Sequence, residues 1–236
     1  MQQITNELSN ISSVGFKRSF ANVNNTLKVE GPGFATRFTT EVDNHDTVSL
    51  AGGKPMYTGN PMDVAMNGHT VLGVSAPNGD LAFTRRGDLR INSTGLVVDG
   101  TGNPVRGQGG QISAPAGYLI NITEDGSLFA KSPSAPKNTP ATAIGRLMLR
   151  DASTTKLDRR QDGLFQARNT DPSQQDITNG KEIPSVSPGS LESSSVNAVD
   201  GLIKMIAFQR SFENSIRVIK EAKSIDESGA TTMKSA

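Results

Sequence analysis

The sequence holds two histidines, His45 and His69, and no cysteine, which narrows the metal and nucleophile chemistry open to it. His45 lies in Asp43-Asn44-His45-Asp46, a set of nitrogen and oxygen donors that could hold a hard cation or a transition metal. The same four residues also make an ordinary polar turn, and that is the reading taken. His69 follows Gly68 beside a strand-forming run and reads as a turn residue. Gly107-Gln108-Gly109-Gly110 has the glycine content of a phosphate loop, but not the strand-to-helix setting that lets such a loop cradle a phosphate. No Gly-x-Ser-x-Gly, His-Glu-x-x-His or Walker pattern occurs. The 23 carboxylates leave open an acid–base pair assembled from distant positions, but no spacing singles one out. The expectation is no enzyme, no cofactor and no small-molecule substrate.

Charge points the same way. Lys and Arg (24) nearly balance Asp and Glu (23) for a net +1, so no basic face for nucleic acid is indicated. Arg85-Arg86 and Arg159-Arg160 are pairs rather than patches and read as solvated surface. Without cysteine there are no disulfides, which suits a chain that must unfold for export and refold outside. No apolar run is long enough to span a bilayer, so no direct membrane insertion is expected. The first residues lack the basic and apolar segments of a cleaved signal peptide, so departure from the cytoplasm would need another route. Hydrophobic residues make up 34% and aromatics 5%, with no Trp. That is a thin core supply for 236 residues, as expected of sheets with one solvated face or of termini stabilised in an assembly.

The elements fall into a plan of helical ends around a β body. Ile4, Leu8 and Ile11 recur at helical spacing within residues 4–20, and Gly15 suits the position just past a helix end. Phe16 and Phe20 follow as apolar anchors. Residues 21–54 carry the breakers Gly31-Pro32-Gly33 and Gly52-Gly53-Lys54-Pro55 and read as a connector with partial β structure. In the body, Val71–Val74 and Leu81–Thr84 flank Asn78-Gly79, a hairpin signal of the type I′ kind. Further turn signals at Ser93–Gly95, Asp99-Gly100, Gly102–Pro104, Asp125-Gly126 and Asp162-Gly163 predict meandering antiparallel sheets. Residues 131–142 and 169–180 read as exposed loops. Residues 190–226 read as a second helix, capped by Ser193, Ser194 or Ser195. On it Leu202, Met205, Ile206, Phe212, Ile216 and Ile219 form a stripe broader than a two-helix seam, as for contact with more than one neighbour. An ordinary core helix packed on its own sheet fits the same pattern. The expected class is mainly β with α-helical termini (α+β). Its divisions are residues 1–25 with 190–236, a connector over 26–55, and a β domain over 56–189.

Several stretches resemble one family. The segment from Asn6 to Lys17 is similar to the rod motif of bacterial flagellar axial proteins, roughly Asn-Asn-Leu-Ala-Asn-x-x-Thr-x-Gly-Phe-Lys. It matches at Asn6, Leu8, Asn10, Gly15, Phe16 and Lys17 and departs at Glu7, Ser9 and Ser13. Thr58-Gly59-Asn60-Pro61-Met62-Asp63-Val64-Ala65 looks like the opening of the family's β domain, although the usual Gly-x-Gly-Phe-Phe becomes Gly68-His69-Thr70-Val71-Leu72. Phe83-Thr84-Arg85-Arg86-Gly87-Asp88-Leu89 resembles Tyr-Thr-Arg-x-Gly-x-Phe. Gly189-x-Leu191-Glu192-x-Ser194-x-Val196 resembles Gly-x-Leu-Glu-x-Ser-Asn-Val, with Ser195 in place of Asn. Gly107–Ile112, Ile144–Leu147 with Asp162–Phe165, and a tail continuing past the helix resemble the proximal-rod branch. The distal-rod or hook-type branch is the alternative.

The resemblance implies a structural subunit of the basal-body rod crossing the periplasm, a hollow helical shaft that transmits torque from motor to hook. It implies an elongated axial protein, with an inner helical domain built from both chain ends and an outer antiparallel β domain. The implied partners are other copies of itself, proximal and distal rod proteins, the rod cap protein and the flagellar type III export apparatus. Assembly contacts would come from Leu8, Asn10, Ile11, Phe16, Leu191, Val196, Leu202, Met205, Ile206, Phe212, Ile216 and Ile219. The terminal helices are expected to order on assembly, because one thin stripe rarely offsets its own ordering entropy. Family members carry several more helical turns before the position of Asn6, which implies an upstream start or a shortened chain. From the residue pattern alone, a secreted β-domain adhesin or binding module remains a second reading, and an enzyme acting on cell wall a third.

Overall fold

The structure, a computed structural model, describes residues 2–21, 25–27, 39–41, 46–136, 138–168 and 175–234. The chain divides into two compact units, one of residues 1–11 with 196–236 and the other of residues 12–195.

The second unit is built from short antiparallel strands. Its largest sheet runs in the order Ser19–Ala21, Asp46–Val48, Leu157–Arg159, Phe165–Ala167, Leu81–Thr84, Thr70–Ser75, Leu149–Asp151. The central hairpin is buried along both strands and on both faces. Leu72, Val74 and Ala82 enter one apolar cluster, whereas Val71, Leu81 and Phe83 enter another. Alternation of side chains across the pleat sends successive residues into different clusters. A strand covered on both sides therefore reads as a continuous apolar run rather than a striped one. Away from the centre, Leu119–Ile122, Ser127–Lys131 and Thr142–Arg146 form a three-stranded sheet, and the first two alternate in burial, as a sheet with one wet face does.

Five tight turns share one hydrogen-bond pattern. Gly79, Gly95, Gly102, Gly126 and Gly163 each donate N–H to the carbonyl three residues back, at Ala76, Asn92, Asp99, Thr123 and Arg160. The N–H of that first residue donates in turn to the carbonyl of the fifth. The glycines have φ between 80° and 97°. This is the three-residue hairpin loop, a type I turn closed by a left-handed residue. It corrects the type I′ expectation at Asn78-Gly79: Pro77 and Asn78 are the central pair, and the proline ring fixes a negative φ that a I′ turn does not accept.

One other local expectation changes. The stretch 169–180 is not a wholly exposed loop: residues 169–174 lie outside the described residues, and Ile177 is buried in the second cluster. It is held there as Gln175 Oε1 accepts the Leu81 N–H at 3.0 Å and Asn179 Oδ1 accepts the Asp151 N–H at 3.1 Å. The stretch read as a connector with partial β structure contributes Asp46–Val48 to the seven-stranded sheet, and at its boundary with the β domain Pro55–Tyr57 pairs with Ser190–Glu192. Residues 28–38 and 42–45, including Asp43-Asn44-His45, lie outside the described residues.

The first unit holds two helices, α1 (Gln2–Ser9) and α2 (Ala198–Lys234). Helix α1 ends at Ser9, earlier than the Gly15 stop, and Asn10 closes it by donating N–H and Nδ2 to the Asn6 carbonyl. Helix α2 starts later than the serine caps would place it. Asn197 is the cap: its Oδ1 accepts the Val199 N–H at 3.0 Å and its carbonyl accepts the Gly201 N–H. The serines fail as caps because Ser190–Glu192 is drawn into a strand just before them. Leu8 packs on Gly201, where a β-carbon would fall 2.7 Å from Leu8 Cδ2.

Candidate functional site

The segments that carry the rod-like motifs meet inside the second unit. Residues 12–18 and 192–195 lie side by side, with Gly15 N–H donating to the Glu192 carbonyl at 2.8 Å and Ser195 N–H to the Phe16 carbonyl at 2.9 Å. Gly15 has φ +65°, and a β-carbon there would overlap the Arg85 carbonyl. Its role is thus a close backbone crossing rather than the end of α1.

That crossing encloses an ion cluster. Lys17, Arg85 and Glu192 are 0%, 1% and 4% exposed. Lys17 Nζ donates to Glu192 Oε1 at 2.6 Å and to the Ala51 carbonyl at 2.8 Å. Arg85 Nε donates to Glu192 Oε2 at 2.8 Å, and its terminal nitrogens donate to the carbonyls of Gly68, Thr70 and Met66. The Gly53 N–H completes the carboxylate at 2.7 Å. Two cations thus share one anion, and four backbone carbonyls accept further donors from them. Burial lowers the pKa of Lys17 and the nearby Arg85 charge lowers it further, while Glu192 works in the opposite direction without cancelling them. Arg85 is no solvated charge, which corrects the reading of Arg85-Arg86 as surface. Arg86 is half-buried, in a two-pronged pair with Asp88 at 2.7 and 2.8 Å. Arg159 lies 4.5 Å over the Phe16 ring and donates to the Lys17 carbonyl, so that pair is not simply solvated either.

The neighbouring motif explains itself. Asp63 accepts from Thr58 Oγ1 at 2.7 Å and Asn60 Nδ2 at 2.9 Å, and its carbonyl accepts the Gly189 N–H. Thr58-Gly59-Asn60-Pro61-Met62-Asp63 is therefore a self-closed loop against the returning C-terminal strand. His69, in the expected turn, has Asp151 and Glu182 as neighbours. Burial works against ionisation of Asp151, but hydrogen bonds from Ser153 and the Glu182 N–H outweigh it and hold the carboxyl below its usual range. Those bonds tie Asp151 to its own turn through Ser153 and to the later segment through Glu182.

The expected assembly residues divide between the units. Phe16 and Leu191 belong to the β unit, Leu191 buried in its strand. Leu8, Asn10, Ile11 and Val196 belong to the helical unit and are half-buried, as is Met205. Leu202, Ile206, Phe212, Ile216 and Ile219 stand exposed on α2, Phe212 at 59% and Ile219 at 67%. Val199, Ile203, Phe208, Val218 and Ile225 are exposed on it too, so apolar side chains point to more than one side. Reasoning from the sequence missed the ion cluster. Its signal was present: Lys17, Arg85 and Glu192 each stand at a matched position of a different motif.

Comparison with known proteins bears on both features. The model of the flagellar hook protein FlgE/F/G D1 domain matches residues 65–130, and that of the flagellar basal body rod FlgEFG protein C-terminal region matches residues 187–233. Arg85 lies in the first match and Glu192 and α2 in the second. The chain is 35% identical over 213 residues to the flagellar basal-body rod protein FlgF of Escherichia coli (strain K12), covering 90% of this chain and 83% of that protein. It is 35% identical over 222 residues to FlgF of Salmonella typhimurium, covering 93% and 85%. To the flagellar basal-body rod protein FlgG of Buchnera aphidicola subsp. Baizongia pistaciae it is 28% identical over 258 residues, covering 94% and 89%.

Proposed function

This chain belongs to the flagellar basal-body rod protein family and is most like FlgF, and from that premise we propose how its two units make a rod. It is a structural subunit of the basal body, assembled with other rod subunits. In the proposed arrangement α1 and α2 form the inner layer of a proximal rod, packing on the helices of neighbouring copies and of other rod proteins, and the β unit faces outward. A head-to-tail contact that does not close produces an open helix of subunits, which can carry torque along its axis. Delivery through the flagellar type III export apparatus and growth beneath a rod cap protein complete the reading. FlgG-like distal-rod identity has the weaker support, at 28% against 35%.

The observation that carries it is the exposed apolar side chains along α2, a helix of 37 residues and thus about 55 Å long. Burying one such side chain contributes roughly 1.5–3 kcal/mol, so a neighbour covering several would supply a strong contact. The test is Phe212→Asp, placed where a buried charge in an interface has no partner. Expected are loss of swimming and of basal bodies with rods, with the β unit still folded by circular dichroism. Normal motility would reject the helix-interface reading.

A further inference from the structure

We propose that the Lys17–Glu192–Arg85 cluster is a latch, which makes docking of the N-terminal arm (residues 12–21) on the β unit conditional on the strand Ser190–Glu192 being in place. Besides the ion cluster, the arm is held by Arg159, which lies over the Phe16 ring and donates to the Lys17 carbonyl, and by backbone pairing. Among the described residues its strand Ser19–Ala21 is at the sheet edge and pairs with Asp46–Val48. The Gly15 and Phe16 backbone bonds go to Glu192 and Ser195, and the Arg18 N–H goes to Ser195 Oγ at 3.1 Å. Lys17 is the arm's most buried side chain, and Glu192 is the carboxylate that meets it.

The dependence follows from the charges. Without Glu192, closing the arm would bury the Lys17 ammonium beside the Arg85 guanidinium, with only carbonyls for company. Two buried like charges without a counter-ion are strongly unfavourable, so the arm stays open. With Glu192 in place, one carboxylate answers both cations and also the Gly53 N–H. Coupling is reciprocal, so the C-terminal strand is held by the arm as strongly as it holds the arm. The partners stand 175 residues apart. A chain that emerges N-terminus first, as from a ribosome, therefore keeps its arm undocked until Glu192 has appeared. The two ends then close in one step. This inference does not depend on the rod reading.

Native-state hydrogen exchange on the full chain tests it, comparing wild type, Glu192→Gln and Lys17→Met/Glu192→Gln. Ser49 and Val74 lie away from residue 192; Ser193 follows it in the chain, so its rate is first corrected for the changed neighbour. The Ser49 N–H, bonded to the Arg18 carbonyl, reads the arm. The Ser193 N–H, bonded to the Lys54 carbonyl, reads the C-terminal strand, and Val74 reads the central hairpin. In wild type, Ser49 and Ser193 should exchange through one shared opening. Glu192→Gln should speed exchange at both by about 100-fold or more, the scale for stranding a buried charge, with Val74 changed far less. Adding Lys17→Met removes one stranded cation and should restore at least about tenfold of the lost Ser49 protection. Unchanged Ser49 protection in Glu192→Gln, or no recovery in the double variant, would overturn the latch. Should Glu192→Gln expose the whole sheet, wild type decides: a shared opening for Ser49 and Ser193 supports the latch, and separate openings overturn it.

Discussion

The β unit hides charge, whereas the helical unit displays grease. Within residues 12–195, Lys17, Arg85, Asp99, Asp151 and Glu192 are all buried, and each is answered by hydrogen bonds from the same chain. On α2, Leu202, Phe212 and Ile219 stand in the open. A group that costs free energy when buried alone is satisfied internally in one region. In the other, a group that costs free energy when wet is left unsatisfied. The first region meets its buried charges within the chain, and in the proposed assembly the second is covered by neighbours. Composition hid this: 34% hydrophobic residues is a modest supply, and much of it is placed where one chain cannot use it.

The strongest way to break this comparison is to make the same change in both regions. Phe83→Ala removes a fully buried ring from the centre of the large sheet and should destabilise the β unit by about 3–5 kcal/mol in urea unfolding. Phe212→Ala removes a ring of the same size from α2 and should shift the free chain by no more than about 0.5 kcal/mol, while weakening assembly. Equal losses in the free chain would erase the distinction. Next in size is Gly15→Ala. Its positive φ and the overlap with the Arg85 backbone act together, for about 2–3 kcal/mol. Gly79→Ala meets nothing within 4 Å and should cost only the conformational part, about 1 kcal/mol, measured in the same denaturation series.

Alkaline stability sharpens the account of the ion cluster. Lys17 has a folded pKa below the 10.5 of the unfolded chain, so between those values the unfolded chain binds more protons. This group alone should therefore make stability rise with pH through that window. Its burial penalty applies in full below it. The slope should be smaller in Lys17→Met, compared by urea midpoints at pH 8 and 10. The smallest effect is expected at Asp125, in an exposed turn. Hydrogen bonds from Thr123 and Ser127 hold its carboxyl down to about 2. Its contribution should be present above about 3.8 and fade as the pH falls toward 2, weakened by solvent. Asp125→Asn should flatten that part of the acid limb slightly, without affecting the helical unit.

What lay open in the sequence was local. Gly79, Gly95, Gly102, Gly126 and Gly163 announce their turns because the backbone they need is nearly forbidden to other residues. The apolar steps of α2 announce a helix because the 3.6-residue period is set by neighbours along the chain. The motifs from Asn6 to Lys17, around Arg85, and from Gly189 onward were also legible, and they were enough to indicate the family. Tertiary structure decided what those motifs are for. Arg85 is interior because Glu192 answers it, Gly15 is a crossing because the Arg85 and Glu192 backbones meet it there, and α2 begins at Asn197 because Ser190–Glu192 pairs as a strand just before the serines. Lys17 and Glu192 stand 175 residues apart. Burial and counter-charge belong to whatever arrives from elsewhere in the chain, and no local pattern records them.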